Sequence, residues 1–250
     1  TASGLQIMSA LTGCIKTARA CNMINTGKRE DLYTMISDEM NTKLSLVDYV
    51  DRKLVKQPIM THYYNSKVVP AEAFNEAQLD VFYKVLDNAF EGAEALMETV
   101  NSFWNYDTDV HTWTLPDGHV ARVPVVEMAD TRIEVDELEH RTFTYRYAKQ
   151  QPSTNFKSLV ANIIHSVDGY IAREMVRRST FDLVHIHDCF VFSPEYMQDV
   201  SQLYRLIMVE IADSNLLSDI LSEIRGEYIE VNKLTNTLSA EIAKSEYMLS

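Results

Sequence analysis

Phe181-Asp182-Leu183-Val184-His185-Ile186-His187-Asp188-Cys189-Phe190-Val191-Phe192 is the stretch on which the reading of this chain turns. Two apolar runs, rich in β-branched and aromatic residues, flank a polar step at His187-Asp188. The pattern reads as a strand, an abrupt turn and a returning strand. A charged aspartate amid Val184, Ile186, Phe190 and Phe192 is costly to desolvate without a partner. At a hairpin tip it can project into a cleft and hold a cation, although an aspartate there is also an ordinary turn residue. Ser193-Pro194-Glu195 closes the run and opens a helix.

Helical patterning dominates on both sides, and glycine and proline are scarce, with 7 and 6 copies. Residues 30–51 carry Leu32, Met35, Ile36, Met40, Leu44 and Val47 at helical spacing, and residues 75–104 repeat this with Leu79, Phe82, Val85, Leu86, Phe90, Leu96 and Val100. Both read as core-facing helices. From Val110 to Tyr147 the pattern shortens: Thr112-Trp113-Thr114, a Pro116-Asp117-Gly118 turn, a run from Val120 to Val126, and a strand from Thr142 to Tyr147. A helix is expected from about Thr154 to Arg178, and helix again to Ser250 with Gly226 as its one clear break. The fold class is α+β, mostly helical around a small antiparallel sheet with one functional β-hairpin.

The 250 residues hold 23 basic and 36 acidic side chains, a formal net charge of −13. Such a balance argues at first against a nucleic-acid binder, which normally carries a basic footprint. The acidity is local, however. Residues 71–109 hold nine acids against Lys84, and residues 195–250 hold ten against four bases, leaving the other 155 residues at +1. Cations such as Arg52, Lys56, Arg173 and Arg177 are therefore expected to be free to face nucleic acid. No window approaches 18 uninterrupted apolar residues, so no membrane span is expected, and the first residues show no signal peptide. Cys14, Cys21 and Cys189 are an odd number without CxxC spacing, read as buried reduced thiols in a reducing compartment.

A second candidate for chemistry is the run from Asp51 to Ser66. Arg52, Lys56, Met60 and Tyr64 recur every four residues, one slowly drifting stripe if the run is helical. Two cations one turn apart suit a polyphosphate, and an aromatic two turns on suits a base or sugar. A solvated basic turn before an ordinary helix has the same spacing. Pro58 means that the helix either starts near Gln57 or is kinked there. A third candidate is His165-Ser166-Val167-Asp168-Gly169, where the histidine is either a satisfied core residue or a ligand and Gly169 allows a close helix contact. His185-x-His187-Asp188 could also belong to a metal hydrolase, given further ligands.

Taken in order, these segments resemble the single-subunit DNA-dependent RNA polymerases of bacteriophages and mitochondria. Ser3-Gly4-Leu5-Gln6 is similar to the tail of that family's first palm motif, Asp-x-x-x-Ser-Gly-Leu/Ile-Gln. Arg52 to Tyr64 is similar to the fingers motif Arg-x3-Lys-x7-Tyr-Gly, including Met60-Thr61. Trp113 to Gly118 resembles Trp-x-x-Pro-Asp-Gly, His165 to Gly169 resembles His-Ser-x-Asp-Gly, and His187-Asp188-Cys189-Phe190 resembles His-Asp-Ser-Phe. Arg19-Ala20 and Glu30-Asp31-Leu32-Tyr33 also have counterparts, and the resemblance runs from Thr1 to about Ala212.

The resemblance implies templated transfer of nucleotides from rNTPs to an RNA 3′ end on a DNA template, by a two-metal mechanism serving phage transcription. Asp188 would be one of two carboxylates holding paired Mg²⁺ ions, Arg52 and Lys56 would grip the triphosphate, and Tyr64 would stack near the nascent pair and favour a ribose 2′-OH. His165 would contact the sugar or minor groove, His187 would shape the hairpin, and Met60 favours RNA over DNA synthesis. The implied layout is palm over 1–29, fingers over 30–109 with a nucleotide-binding helix at about 56–66, and palm over 110–250 with a catalytic hairpin at 182–193. The implied location is the cytoplasm of an infected bacterial host.

Two departures stand out. The family's first catalytic aspartate falls two positions before Thr1, which leaves a fragment, a gapped or processed chain, or a split polymerase whose second polypeptide supplies the N-terminal domain and that aspartate. Asn65 replaces the glycine after Tyr64, a position where asparagine tolerates the left-handed conformation. Cys189 and Met60 stand where family-A DNA polymerases, the nearest alternative, carry glutamate and an aromatic. A non-catalytic polymerase-associated subunit is the other alternative.

Overall fold

The computed structural model describes residues 2–152 and 158–249. Its centre is α1 (Ser3–Thr12), where every side chain from Leu5 to Thr12 is buried. A helix buried on all sides belongs in the middle of a core, and α1 is enclosed by α2 (Ile15–Ala20), α7 (Glu91–Ser102), α8 (Ser158–Arg178), α9 (Met197–Asp213) and α10 (Leu216–Arg225). It stops at Gly13, whose φ of +71° closes the helix end. A Cβ there would lie 2.5 Å from the Thr235 carbonyl oxygen, so conformation and space both require glycine. The rest of the helical framework is α3 (Leu32–Lys43), α4 (Arg52–His62), α5 (Val68–Ala73), α6 (Glu76–Ala89) and α11 (Leu238–Ile242).

Two polar nodes lock this core. The Gln6 amide donates to the carbonyls of Cys21 (2.9 Å) and Met248 (3.0 Å) and accepts from the Tyr204 hydroxyl (3.0 Å), tying α1 to α9 and to the C-terminal segment. Glu174 on α8 is only 2% exposed and accepts from Arg177 and Arg178, and Arg178 forks onto Glu210 of α9 at 2.7 Å through both nitrogens. A buried carboxylate survives only when paired in this way.

Among the described residues the strands form three separate two-stranded antiparallel sheets, where the sequence suggested one small sheet. β1 (Val110–Thr114) and β2 (Val120–Pro124) flank the Pro116-Asp117-Gly118 turn as expected. This hairpin docks on α8, with the Trp113 indole donating to Ser166 Oγ (2.9 Å) and Asp117 accepting from Arg173. β3 (Val126–Val135) and β4 (Arg141–Pro152) make a much longer ribbon than the Thr142–Tyr147 strand expected. β5 (Leu183–Ile186) and β6 (Cys189–Phe192) are the hairpin read from the opening stretch, paired Ile186 to Cys189 across the turn. Leu183 joins the core and Phe190 and Phe192 pack against it, but Val184, Ile186 and Val191 are all more than half exposed. The expectation of buried thiols is corrected at Cys189, which is exposed, while Cys14 and Cys21 are buried.

Several helix limits also move. The stretch 30–51 yields α3 and then a short 3₁₀ turn at Leu46–Asp48, which leaves Val47 fully in solvent. The stretch 75–104 splits at Phe90 into α6 and α7. The chain is helical over Arg52–His62 and passes through Pro58, started by Asp51, whose carboxylate caps Leu54 N–H (2.8 Å), so the expected limits of about 56–66 give way to 52–62. Residues 154–157 of the expected helix before α8 lie outside the described residues. Beyond Gly226 the chain is mostly irregular, not helical, because side chains replace helical hydrogen bonds: Ser222 and Ser218 accept from Ile229 and Val231 N–H, and the Lys233 ammonium caps the Ala212 and Ser214 carbonyls at the end of α9.

Candidate active site

Asp188 stands at the tip of the β5–β6 hairpin because a two-residue turn leaves no other place for it. His187 takes φ +53°, the positive value that tight hairpin turns ask of their first central residue. The tip is thus turned toward the start of α1, where Ser3 Oγ donates to Asp188 Oδ2 at 3.0 Å. Asp188 itself is exposed, and one of its oxygens carries that single protein hydrogen bond.

Opposite lies the end of α4. Tyr64 sits in the turn after the helix, followed by Asn65 at φ +65°, so asparagine does hold the left-handed position. Its amide donates to the His62 carbonyl (2.7 Å), and its side chain donates to Asn101. This turn aims Tyr64 inward. The phenol packs on His165 with ring centroids 4.7 Å apart, and its oxygen lies over Gly4, where a Cβ would come within 3.4 Å.

Ser3, Tyr33, Met60, Tyr64, His165, Asp168, His187 and Asp188 all line one cavity of about 400 Å³. Of the six residues singled out from sequence, four meet there: Met60, Tyr64, His165 and Asp188. Arg52 lines an adjoining cavity of about 270 Å³, separated by Tyr33. Arg52 and Lys56 lie over the Tyr33 ring, 5.4 and 5.9 Å from its centroid. The expectation of free cations needs correction here. Arg52 Nε donates to Asp31 (2.5 Å), Arg173 to Asp117 and Arg177 to Glu174. Exposed pairs such as Arg52–Asp31 contribute only about 0–1 kcal/mol, so a phosphate can compete for the guanidinium.

The cavity shifts its own titrations. Burial, and then the charge of Asp188, push the Asp168 carboxyl up to about 6, partly offset by His187 and His185. Burial and the charges of Asp168 and Asp188 raise the Tyr64 phenol. Loss of water where His165 packs, together with His187, lowers the histidine.

Sequence reasoning missed two cavity residues as site members. Tyr33 had only its place in Glu30-Asp31-Leu32-Tyr33 as a signal, yet its buried hydroxyl has no protein partner in a wall facing both cavities. Ser3 had only its place in Ser3-Gly4-Leu5-Gln6. Gly169, expected at a close helix contact, meets only the tip of Arg173 on its own helix. The metal-hydrolase alternative also loses ground, since His185, His187 and Asp188 do not gather as a three-ligand group. Among the described residues that grouping occurs at Glu134, Asp136 and His140, fully exposed at the β3–β4 turn and outside this cavity.

Comparison with known proteins gives the class to which this arrangement is related. Residues 1–113 match the family model described as DNA-dependent RNA polymerase, and the likeness read from the motifs holds. Among individual relatives, DNA-directed RNA polymerase 3, chloroplastic, of Nicotiana sylvestris is 24% identical over 281 aligned positions, covering 90% of this chain and 28% of the relative. DNA-directed RNA polymerase 2A of Nicotiana tabacum is 23% identical, with 90% of this chain and 81% of the relative covered. DNA-directed RNA polymerase 2, chloroplastic/mitochondrial, of Nicotiana sylvestris is 23% identical with 26% of the relative covered. The chain therefore spans little more than a quarter of the first of these relatives. These relatives overturn the expected location in an infected bacterial cytoplasm: all three are plant polymerases, and two are named for the chloroplast or for chloroplast and mitochondrion. No described helix is long and apolar enough to cross a membrane.

Proposed function

We propose that this chain forms part of a DNA-directed RNA polymerase and carries its nucleotide-addition site, with DNA template, RNA transcript and rNTPs as partners. The observation that carries the reading is the convergence of Asp188, Tyr64, Met60 and His165, from three remote segments, on one cavity. In this reading 30–109 serve as fingers and the remainder as palm.

Asp188 fits a Mg²⁺ ligand: it is a hard oxygen donor at a cavity mouth, one oxygen oriented by Ser3 and the rest of the carboxylate open. Two Mg²⁺ ions, when bound, would activate the attacking 3′ hydroxyl and neutralise the departing pyrophosphate. Asp188 would share that duty with the second carboxylate that the resemblance implies. Asp168 is poorly suited, because its burial penalises the charged form a cation needs.

The chain's own residues do the rest. Arg52 and Lys56, neighbours over Tyr33, receive the triphosphate at the cavity edge once Arg52 leaves Asp31. Tyr64, braced by His165, presents a flat apolar face to a base and a hydroxyl to a sugar. Met60, less than half exposed beside it, limits the space over the ring.

The test is template-directed ribonucleotide incorporation by the enzyme purified from its native source through a tag on this chain. Asp188→Asn keeps shape and hydrogen-bonding size, so it is expected to leave the melting temperature within about 2 °C while lowering kcat at least 1000-fold. Full activity in that variant would sink the assignment.

A further inference from the structure

Tyr64 reaches the cavity from a turn that α7 grips on both sides. On the near side His62, only 5% exposed and surrounded by the rings of Tyr63, Phe82 and Tyr83, meets Glu94 through Nε2 at 2.8 Å. On the far side Asn65, equally buried, donates through its side-chain amide to Asn101 Oδ1 at 2.8 Å. Glu94 and Asn101 are seven residues apart on α7, about two turns along one face. The Asn65 N–H also donates to the His62 carbonyl at 2.7 Å, which closes a ring of contacts around Tyr64. Helix α7 packs in turn on α1 and α8, the helices that carry Gly4 and His165, where the Tyr64 ring comes to rest. Asn65 stands where the resemblance places glycine, so a left-handed backbone alone does not require this side chain.

We infer that Asn101 is a positioning residue which, through the buried side chain of Asn65, tethers the turn after α4 to α7 and so holds Tyr64 in the cavity. The inference rests on the polymerase reading for its catalytic meaning but not for its geometry. Tyr64 lies beyond the last residue of α4, so the helix does not fix its place. The contact of His62 with Glu94 holds the chain before it, and only the Asn65 side chain ties down the chain after it. Glycine at 65 would allow the same turn and leave it freer. With the tether made, the ring is held relative to Gly4 and His165 through one rigid helix, with no bond from the phenol itself. A nucleotide that stacks on Tyr64 therefore meets a ring already in place, and binding does not have to supply the ordering.

The experiment compares wild type with Asn65→Gly, Asn101→Ala, their double variant and Asn101→Asp, in the enzyme purified through the tag on this chain. Glycine accepts φ +65° without strain, so Asn65→Gly removes the tether and spares the turn. Two readouts apply. One is KM and kcat for an rNTP. The other is the Cε1–H resonance of His165 in histidine-labelled protein, which the ring current of Tyr64 displaces and which is assigned by its loss in His165→Gln. Asn65→Gly and Asn101→Ala are each expected to raise KM about fivefold, the weight of one neutral hydrogen bond, with kcat changed by less than about twofold. Both should move the His165 resonance toward its position in Tyr64→Ala, and the double variant should do no more than either single one. Asn101→Asp keeps an acceptor oxygen for the Asn65 amide and should restore both readouts. A His165 resonance unmoved in both single variants, or effects that add in the double variant, would overturn the tether even where the melting temperature falls. A protein that incorporates no nucleotide but whose His165 resonance responds as expected keeps the tether and refutes the polymerase reading instead.

Discussion

Replacing Asp168 by asparagine tests the electrostatics of the cavity quantitatively. In the folded chain this carboxyl holds its proton up to about pH 6, against 3.8 for the free group, chiefly because burial disfavours its charged form and secondarily because Asp188 repels it. Between those two values the native state binds more protons than the unfolded chain, so stability falls as pH rises through the window. Below about pH 4 both states are protonated and the penalty vanishes. Two pKa units convert to about 3 kcal/mol at most, and partial solvent access with its screening reduces this to about 1–2 kcal/mol. Asp168→Asn removes the titration while keeping the shape. The melting temperature of the variant relative to wild type should therefore rise from its acid baseline by roughly 2–8 °C between pH 4 and pH 7.5. His185 and His187, which partly offset the shift, are present in both proteins and cancel to first order. Calorimetric scans at half-unit pH steps read this directly. A difference between the two proteins that stays flat with pH, or that shrinks as pH rises, would refute the argument.

Three further outcomes follow from particular contacts. Gln6→Leu leaves the Tyr204 hydroxyl without its acceptor and two buried carbonyls without their donor, and should cost about 2–4 kcal/mol, seen in urea unfolding as a lower midpoint with an unchanged slope. Gly13→Ala imposes a left-handed alanine against the Thr235 backbone and should destabilise by more than about 2 kcal/mol, whereas Gly27→Ala, with open space at its own positive φ, should cost about half as much in the same assay. Tyr64→Phe removes the hydroxyl proposed to sense the sugar, so discrimination between rNTPs and dNTPs should relax about tenfold or more in single-nucleotide incorporation, and unchanged selectivity would remove Tyr64 from that role.

Local pattern carried the opening hairpin, the Pro116-Asp117-Gly118 turn and most of α8 and α9, because each is decided by neighbours in sequence: alternation, turn chemistry and a 3.6-residue period. What it could not carry is burial set from outside the segment. Val184, Ile186 and Val191 have the composition of a core strand, yet a two-stranded hairpin with no third strand leaves them in solvent. The end of α4 was misplaced for a related reason. A proline at position 58 predicts a start or a kink, but the Asp51 cap and the buried side chains of Val55, Pro58 and Ile59 keep the turns together. In the site, spacing found the stripe of four but assumed that it stays helical to Tyr64. The turn after His62 moves the tyrosine into the cavity and leaves the two cations on the far side of Tyr33. Tyr33 and Ser3 were illegible as site residues because their meaning lies in what faces them across more than 20 and 180 residues of chain.

The Ser3–Asp188 bond has a consequence for the making of the protein. At about 5–20 residues per second of synthesis, the 185 positions between its partners take on the order of 10–40 s to emerge. For most of that interval Ile7, Met8 and Leu11, fully shielded in the finished molecule, have none of α8, α9 or α10 to cover them. This segment is thus made well before the helices that enclose it. It must wait in a form that neither aggregates nor packs prematurely, and the cavity closes only when the second half of the chain arrives.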